Sequence, residues 1–217
     1  MTDSFYNIFE APFVFRIKTP EKGSNSDPFV LIHGWSGNEK SMSVFQRIVP
    51  PDALTIYPRG LLQTGENKFG WADPNAGDRD KFAAFSQIGI QLQQMILRII
   101  GRFAGYAQRK INLVGFSQGA VIALVLSTLY PQAFNKIALL SGYLPAIHPA
   151  TLDRSISQLK YFIAHGTEDK IVGFSKALEM ESFLRQQGAN VHLCQAKIDH
   201  KVGNACLREI TDFFSTD

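Results

Sequence analysis

A chain of 217 residues, 45% hydrophobic and 19% charged, is long enough to bury a core without covalent staples and fits one domain over residues 1–217. Lys and Arg number 22 against 19 acidic residues, a net charge of +3, and no basic run is interleaved with aromatics, so no nucleic-acid partner is expected. The longest apolar run, Ala120 to Leu126, is far shorter than the roughly 18 residues of a membrane span; stable membrane insertion is excluded.

In chain order, Phe13–Lys18 alternates Phe13, Phe15 and Ile17 with Arg16 and Lys18. That period of two predicts a half-exposed antiparallel edge strand. Six short apolar runs follow: Phe29–His33, Leu54–Tyr57, Ile111–Gly115, Ile137–Ser141, Tyr161–His165 and Val191–Gln195. Each stops at Gly, Pro, Ser or a polar residue, as strands buried on both faces do. Between them the period shifts toward 3.6: Phe82 to Phe103 reads as one amphipathic helix, Phe174 to Leu184 as another and Val202 to Phe213 as a third. Ala120–Leu129 is apolar almost all round and is expected to be a buried helix. Strands alternating with helices predict an α/β three-layer sandwich with a mostly parallel sheet, whose ligands sit beyond the carboxyl ends of the strands. The 18 residues between Ser141 and Lys160 leave no room for a lid domain.

Gly115-Phe116-Ser117-Gln118-Gly119 stands between a predicted strand and a predicted helix. A strand-to-helix turn that sharp needs glycine on both sides of the central residue and lifts its hydroxyl above the sheet. Ser117 is therefore the candidate nucleophile. A serine hydroxyl needs a base oriented by a third group, and on this scaffold the chain order is Ser, acid, His. Of the five histidines, His33 precedes the serine, His165 and His192 lie inside apolar runs and read as structural, and His148 sits in a connecting segment. His200 follows the last strand and is the candidate base. Asp169, after the penultimate strand, is the candidate acid, with Glu168 as its competitor. The oxyanion donors expected of this fold are the N–H of Gln118 and that of Trp35 in Gly34-Trp35-Ser36-Gly37. Trp71, Phe116 and Leu144 are the expected pocket wall.

These segments together resemble the carboxylesterase/phospholipase branch of the α/β-hydrolases, close to acyl-protein thioesterases and small esterases. The likeness is carried by His-Gly-Trp-Ser-Gly-Asn-Glu, Gly-Phe-Ser-Gln-Gly-Ala and His-Gly-Thr-Glu-Asp-Lys-Ile-Val, and runs from about residue 29 to the end. It implies a triad of Ser117, Asp169 and His200, an oxyanion hole at Trp35 and Gln118, and an acyl-pocket loop at Tyr57-Pro58-Arg59-Gly60 and Gly70-Trp71-Ala72-Asp73. Two positions depart from the pattern. Asp199 replaces the usual Gly before the histidine, where it either raises the basicity of His200 or is solvated, and Ala120 replaces a second glycine after the elbow.

The expected function is hydrolysis of a small-molecule ester or thioester of short to medium acyl chain, without cofactor or metal. A lysophospholipase or lipase, and a catalytically silent binding module, are the alternatives; Ser117 excludes a cysteine-dependent lactone hydrolase. The sequence leaves the oligomeric state open, a homodimer included. Cys194 and Cys206 read as buried free thiols in a reducing compartment, and the N-terminal residues carry no secretory pattern. Cytoplasm is the expected location.

Overall fold

The computed structural model describes residues 5–20, 24–147 and 153–216. Its strands are β1 (Phe5–Glu10), β2 (Phe13–Lys18), β3 (Phe29–Ile32), β4 (Thr55–Pro58), β5 (Leu62–Gly65), β6 (Lys68–Gly70), β7 (Ile111–Phe116), β8 (Phe134–Leu140), β9 (Lys160–Gly166) and β10 (Asn190–Ala196). The α-helices are α1 (Asp78–Ile100), α2 (Gln118–Leu129), α3 (Ser175–Gln186) and α4 (Asn204–Ser215), and a 3₁₀ segment spans Ser41–Ile48. Eight strands form one sheet in the order β1-β2-β4-β3-β7-β8-β9-β10. β1, β2 and β4 pair antiparallel; the remaining pairs are parallel. This is the α/β-hydrolase architecture.

Each of the six apolar runs overlaps a strand. β3, β7 and β8 are apolar in both directions because helices cover both faces: α1, α2 and α3 pack into one core, and the 3₁₀ segment with α4 into the other. The core helix is the expected one, since Gln118 through Thr128 are all buried. After β3 the chain steps outward to β4, then returns to the other side of β3 with β7. The order in which strands are added therefore reverses between the parallel β3 and β7, the place where such sheets open a crevice at the strand ends.

Three expectations are corrected. Phe13–Lys18 is not the edge: β1 pairs along its whole length and takes that place. The alternation itself was sound, because Phe13, Phe15 and Ile17 are fully buried while Val14 and Arg16 are half-buried. The long helix ends at Ile100, not Phe103, because glycine at 101 is a poor helix former; its N–H closes the last turn on the Leu97 carbonyl at 2.9 Å, and Phe103 packs back on the core from the following turn. Cys194 and Cys206 are joined in a disulfide, not free: the end of β10 faces the first turn of α4, with Cα atoms 5.7 Å apart. That removes the cysteine argument for a reducing compartment. Among the described residues no helix is long and apolar enough to cross a membrane.

Candidate active site

β7 ends at Phe116 and α2 begins at Gln118, leaving Ser117 alone to make the turn. Its φ of 53° and ψ of −118° lie outside the regions L-residues favour. The flanking glycines make this possible. A Cβ on Gly115 would fall 2.3 Å from the Gly119 carbonyl oxygen, and one on Gly119 would fall 2.1 Å from that of Ile32. The Ser117 N–H is anchored to the Leu140 carbonyl at 2.8 Å. Ala120, in the place of a second glycine, is accommodated by glycine opposite: its Cβ lies against the Cα side of Gly142.

The parallel register carries the strand ends forward together, with Phe116 beside Leu140, Leu140 beside Ala164 and Gly166 beside Ala196. The loops after β9 and β10 are then zipped to each other. Thr167 and Glu168 donate to the Ala196 and Ile198 carbonyls at 2.8 and 3.0 Å, and Gly166 lets the second loop cross within 2.4 Å of where a Cβ would sit. This brings the His200 Nδ1 to 2.7 Å from Asp169 Oδ2. The other oxygen of Asp169, Oδ1, accepts the N–H groups of Ile171 and Val172, each at 2.9 Å. A carboxylate acceptor requires the proton on Nδ1, which leaves the Nε2 lone pair available. The Phe116 ring lies 5.0 Å from the His200 ring, and both line one cavity with Ser117. Glu168 is exposed and within 3.7 Å of Lys197, away from His200.

The segment after β3 is built around His33. Its Nε2 accepts the Gly60 N–H at 2.9 Å and its Nδ1 donates to the Gly34 carbonyl at 2.7 Å. Burial lowers its pKa to about 4, against partial compensation from that carbonyl bond, so the ring is a neutral two-way strut. Trp71 is not a pocket wall. It is 1% exposed, stacks on His33 and donates its Nε1–H to the His33 carbonyl at 2.7 Å. The Gln118 carboxamide pins the same loop, accepting from Trp71 N at 2.8 Å and donating to the Ala72 carbonyl at 2.6 Å. Trp35 lies with its ring on Gly70, and Gln118 opens α2, where first-turn N–H groups lack intrahelical partners.

Two cavities, of about 660 and 700 Å³, meet at Ser117. Phe116 lines the first and Leu144 the second; His148 lies outside the described residues. Sequence reading missed five contributors. Met42, Val44 and Phe45 enter the first cavity from the 3₁₀ segment, and Ile171 lines both. His165, read as structural, touches the candidate acid: its Nε2 is 2.7 Å from the Val172 carbonyl and 3.3 Å from Asp169 Oδ2. Asp199, at the position before the histidine, is a tie between the two loops. It accepts the N–H groups of Lys170 and His200 at 3.2 and 2.8 Å, which hold its carboxyl below the usual range and tie the two loops.

Comparison with known proteins gives the family. Residues 15–217 match the phospholipase/carboxylesterase family. An acyl-protein thioesterase 1 from Yarrowia lipolytica is 25% identical over 176 residues, covering 73% of this chain and 76% of that one. A carboxylesterase from Mesorhizobium loti shares the fold with a TM-score of 0.81 at 19% identity, covering 98% of this chain and 99% of that one. A Bacillus cereus carboxylesterase does so at 0.79 and 20%, covering 95% of each. The chain belongs to the phospholipase/carboxylesterase family of α/β-hydrolases and is a carboxylic ester hydrolase.

Proposed function

We propose that the protein hydrolyses esters or thioesters of short to medium acyl chain through an acyl-enzyme on Ser117. The observation that carries the reading is the 2.7 Å contact of His200 Nδ1 with Asp169 Oδ2 in the cleft that holds the strained Ser117. His200 Nε2 takes the hydroxyl proton as Ser117 Oγ bonds to the carbonyl carbon, and Asp169 holds the ring in the required tautomer. The oxygen that becomes negative is received by the N–H groups of Trp35 and Gln118. His200 then protonates the departing alcohol or thiol as its bond to carbon breaks. Water, deprotonated by the same ring, releases the acid and frees Ser117. The Yarrowia relative named as a thioesterase supports keeping both leaving-group types.

The test is a fluorophosphonate probe with intact-mass detection, followed by p-nitrophenyl esters of rising chain length. Labelling should be lost in Ser117→Ala. Each methylene covered by the pocket adds roughly 0.8 kcal/mol, so kcat/KM should climb and then level by about eight carbons. No labelling at Ser117 would favour the silent binding reading. A jump in rate above the critical micelle concentration, with long chains preferred, would favour a lipase.

A further inference from the structure

We infer that the cavity on the His200 side of Ser117 holds the leaving group and selects alcohols or thiols that join an apolar body to an anionic group. This deepens the acyl-enzyme reading and rests on it. Trp35, Ser117 and Ile171 line both cavities, but His200 lines only the first and Gln118 only the second. The proton that leaves Ser117 must reach the departing oxygen or sulfur from His200. That atom therefore lies toward the first cavity, and the group attached to it fills that space. The acyl chain is left with the second, between Leu144 and Ile147.

The first cavity has an apolar wall of Met42, Phe45, Phe116, Val202 and Leu207. Its ionisable lining, besides His200, is Arg47 and Lys201, and no Asp or Glu lines it. Arg47 comes from the last turn of the 3₁₀ segment and Lys201 directly follows His200, so two separate elements bring positive charge to one opening. Both are exposed, and neither side chain has an ion pair or hydrogen bond among the described residues. Two other cations are paired. Arg59 lies against Glu39 at 3.9 Å, and Lys176, which lines the second cavity, is paired with Glu179 at 2.8 Å. A neutral leaving group would satisfy the apolar wall and leave both charges unused. A carboxylate or phosphate at its outer end accounts for both.

The test compares three acetate esters that form the same acetyl-enzyme: 4-acetoxybenzoate, 4-acetoxyphenyl phosphate and neutral 4-acetoxybenzamide. Each kcat/KM is divided by that ester's own spontaneous hydrolysis rate. Exposed charge pairs are worth about threefold each, so at low salt either anionic ester should lead by about tenfold. The lead should shrink toward one as ionic strength approaches 1 M, a measurement that needs no variant. In the double variant Arg47→Gln/Lys201→Gln the ratio should also approach one, while deacylation, which no longer involves the leaving group, stays common to all three esters. A ratio at or below one in the unaltered protein, with the neutral ester still turned over, overturns this inference and leaves the Ser117 reading standing. So does a preference that survives the double variant or disappears in Lys176→Gln. Turnover of the neutral ester by Ser117→Ala would instead sink the acyl-enzyme reading itself.

Discussion

The disulfide between Cys194 and Cys206 encloses the loop that carries His200, with a sequence separation of 12. Breaking it frees that loop in the unfolded chain and loosens it in the native one. Chain entropy for a closed loop of that size is about 9.5 cal/mol/K, so the crosslink stabilises the fold by about 3 kcal/mol at 25 °C. For a protein of this length each kcal/mol shifts Tm by roughly 2–4 °C, so loss of the crosslink should lower Tm by about 6–12 °C. Both sulfurs are buried, at 7% and 1% residue exposure, so the comparison is best made with Cys194→Ala/Cys206→Ala and with protein reduced during refolding. The assay is a thermal melt beside kcat on one soluble ester. kcat should fall more than KM changes, because the zipped contacts that aim His200 at Asp169 lie within and beside the freed loop, and a displacement of 1 Å can cost about 10²-fold. An unchanged Tm, or two free thiols titrated in the unreduced denatured protein, would refute the reasoning.

Acid stability should be set in part by His33. Its folded pKa of about 4 lies below the ordinary histidine value of 6.5, so the neutral form is the folded form and the unfolded chain takes up the proton first. The stabilisation is complete above 6.5 and is lost as pH falls toward 4; it amounts to roughly 3 kcal/mol. Urea titrations across that window should show about one proton's slope more in the unaltered protein than in His33→Gln, and equal slopes would argue against it. Gly119→Ala should destabilise by about 1–3 kcal/mol and cost activity, because its Cβ meets the Ile32 backbone at 2.1 Å. Gly89→Ala in α1 is the control: its Cβ would sit 3.5 Å from Val125 Cγ1, and the change should raise Tm slightly. Ser117→Ala and His200→Ala should each lower kcat by about 10⁶, and the double variant little further; additive losses would contradict a shared unit.

Periodicity exposed the parallel strands because burial on both faces leaves an unbroken apolar run, and that property is local. β1 escaped because an edge strand is chosen by its neighbour: Phe5–Glu10 mixes half-buried and exposed residues without regular alternation, and none is fully buried. The hairpin of β5 and β6 was missed for a similar reason. Its strands are short and mostly exposed, and its one cue is Asn67, which takes a φ of 51° at the turn. Yet that hairpin matters to the site. Phe69 bonds to the Gly37 carbonyl at 2.8 Å and the Trp35 ring rests on Gly70, so it braces the segment from which an oxyanion donor would come.

The candidate triad was legible because each member sits where a strand ends, and strand ends can be read from sequence. What surrounds it was not, because it depends on which side chains the register sets face to face. Trp71 looked like a pocket aromatic from its family context, but an indole N–H with a buried carbonyl in reach is drawn inward, and it became the floor beneath His33. His165 looked like core because it lies in an apolar strand. Its Nε2 faces the Val172 carbonyl at 2.7 Å and so carries the proton, which is donated there, while Asp169 Oδ2 lies 3.3 Å away without a hydrogen bond from the ring. Asp169 is held by donors on both oxygens: Ile171 and Val172 on Oδ1 and His200 on Oδ2. Rotating that carboxylate would break contacts to two strand-end loops together. The orientation of His200 is therefore a property of the sheet's carboxyl edge as a whole, which explains why glycine is required at 166 and a short acid is useful at 199, two positions that line neither cavity.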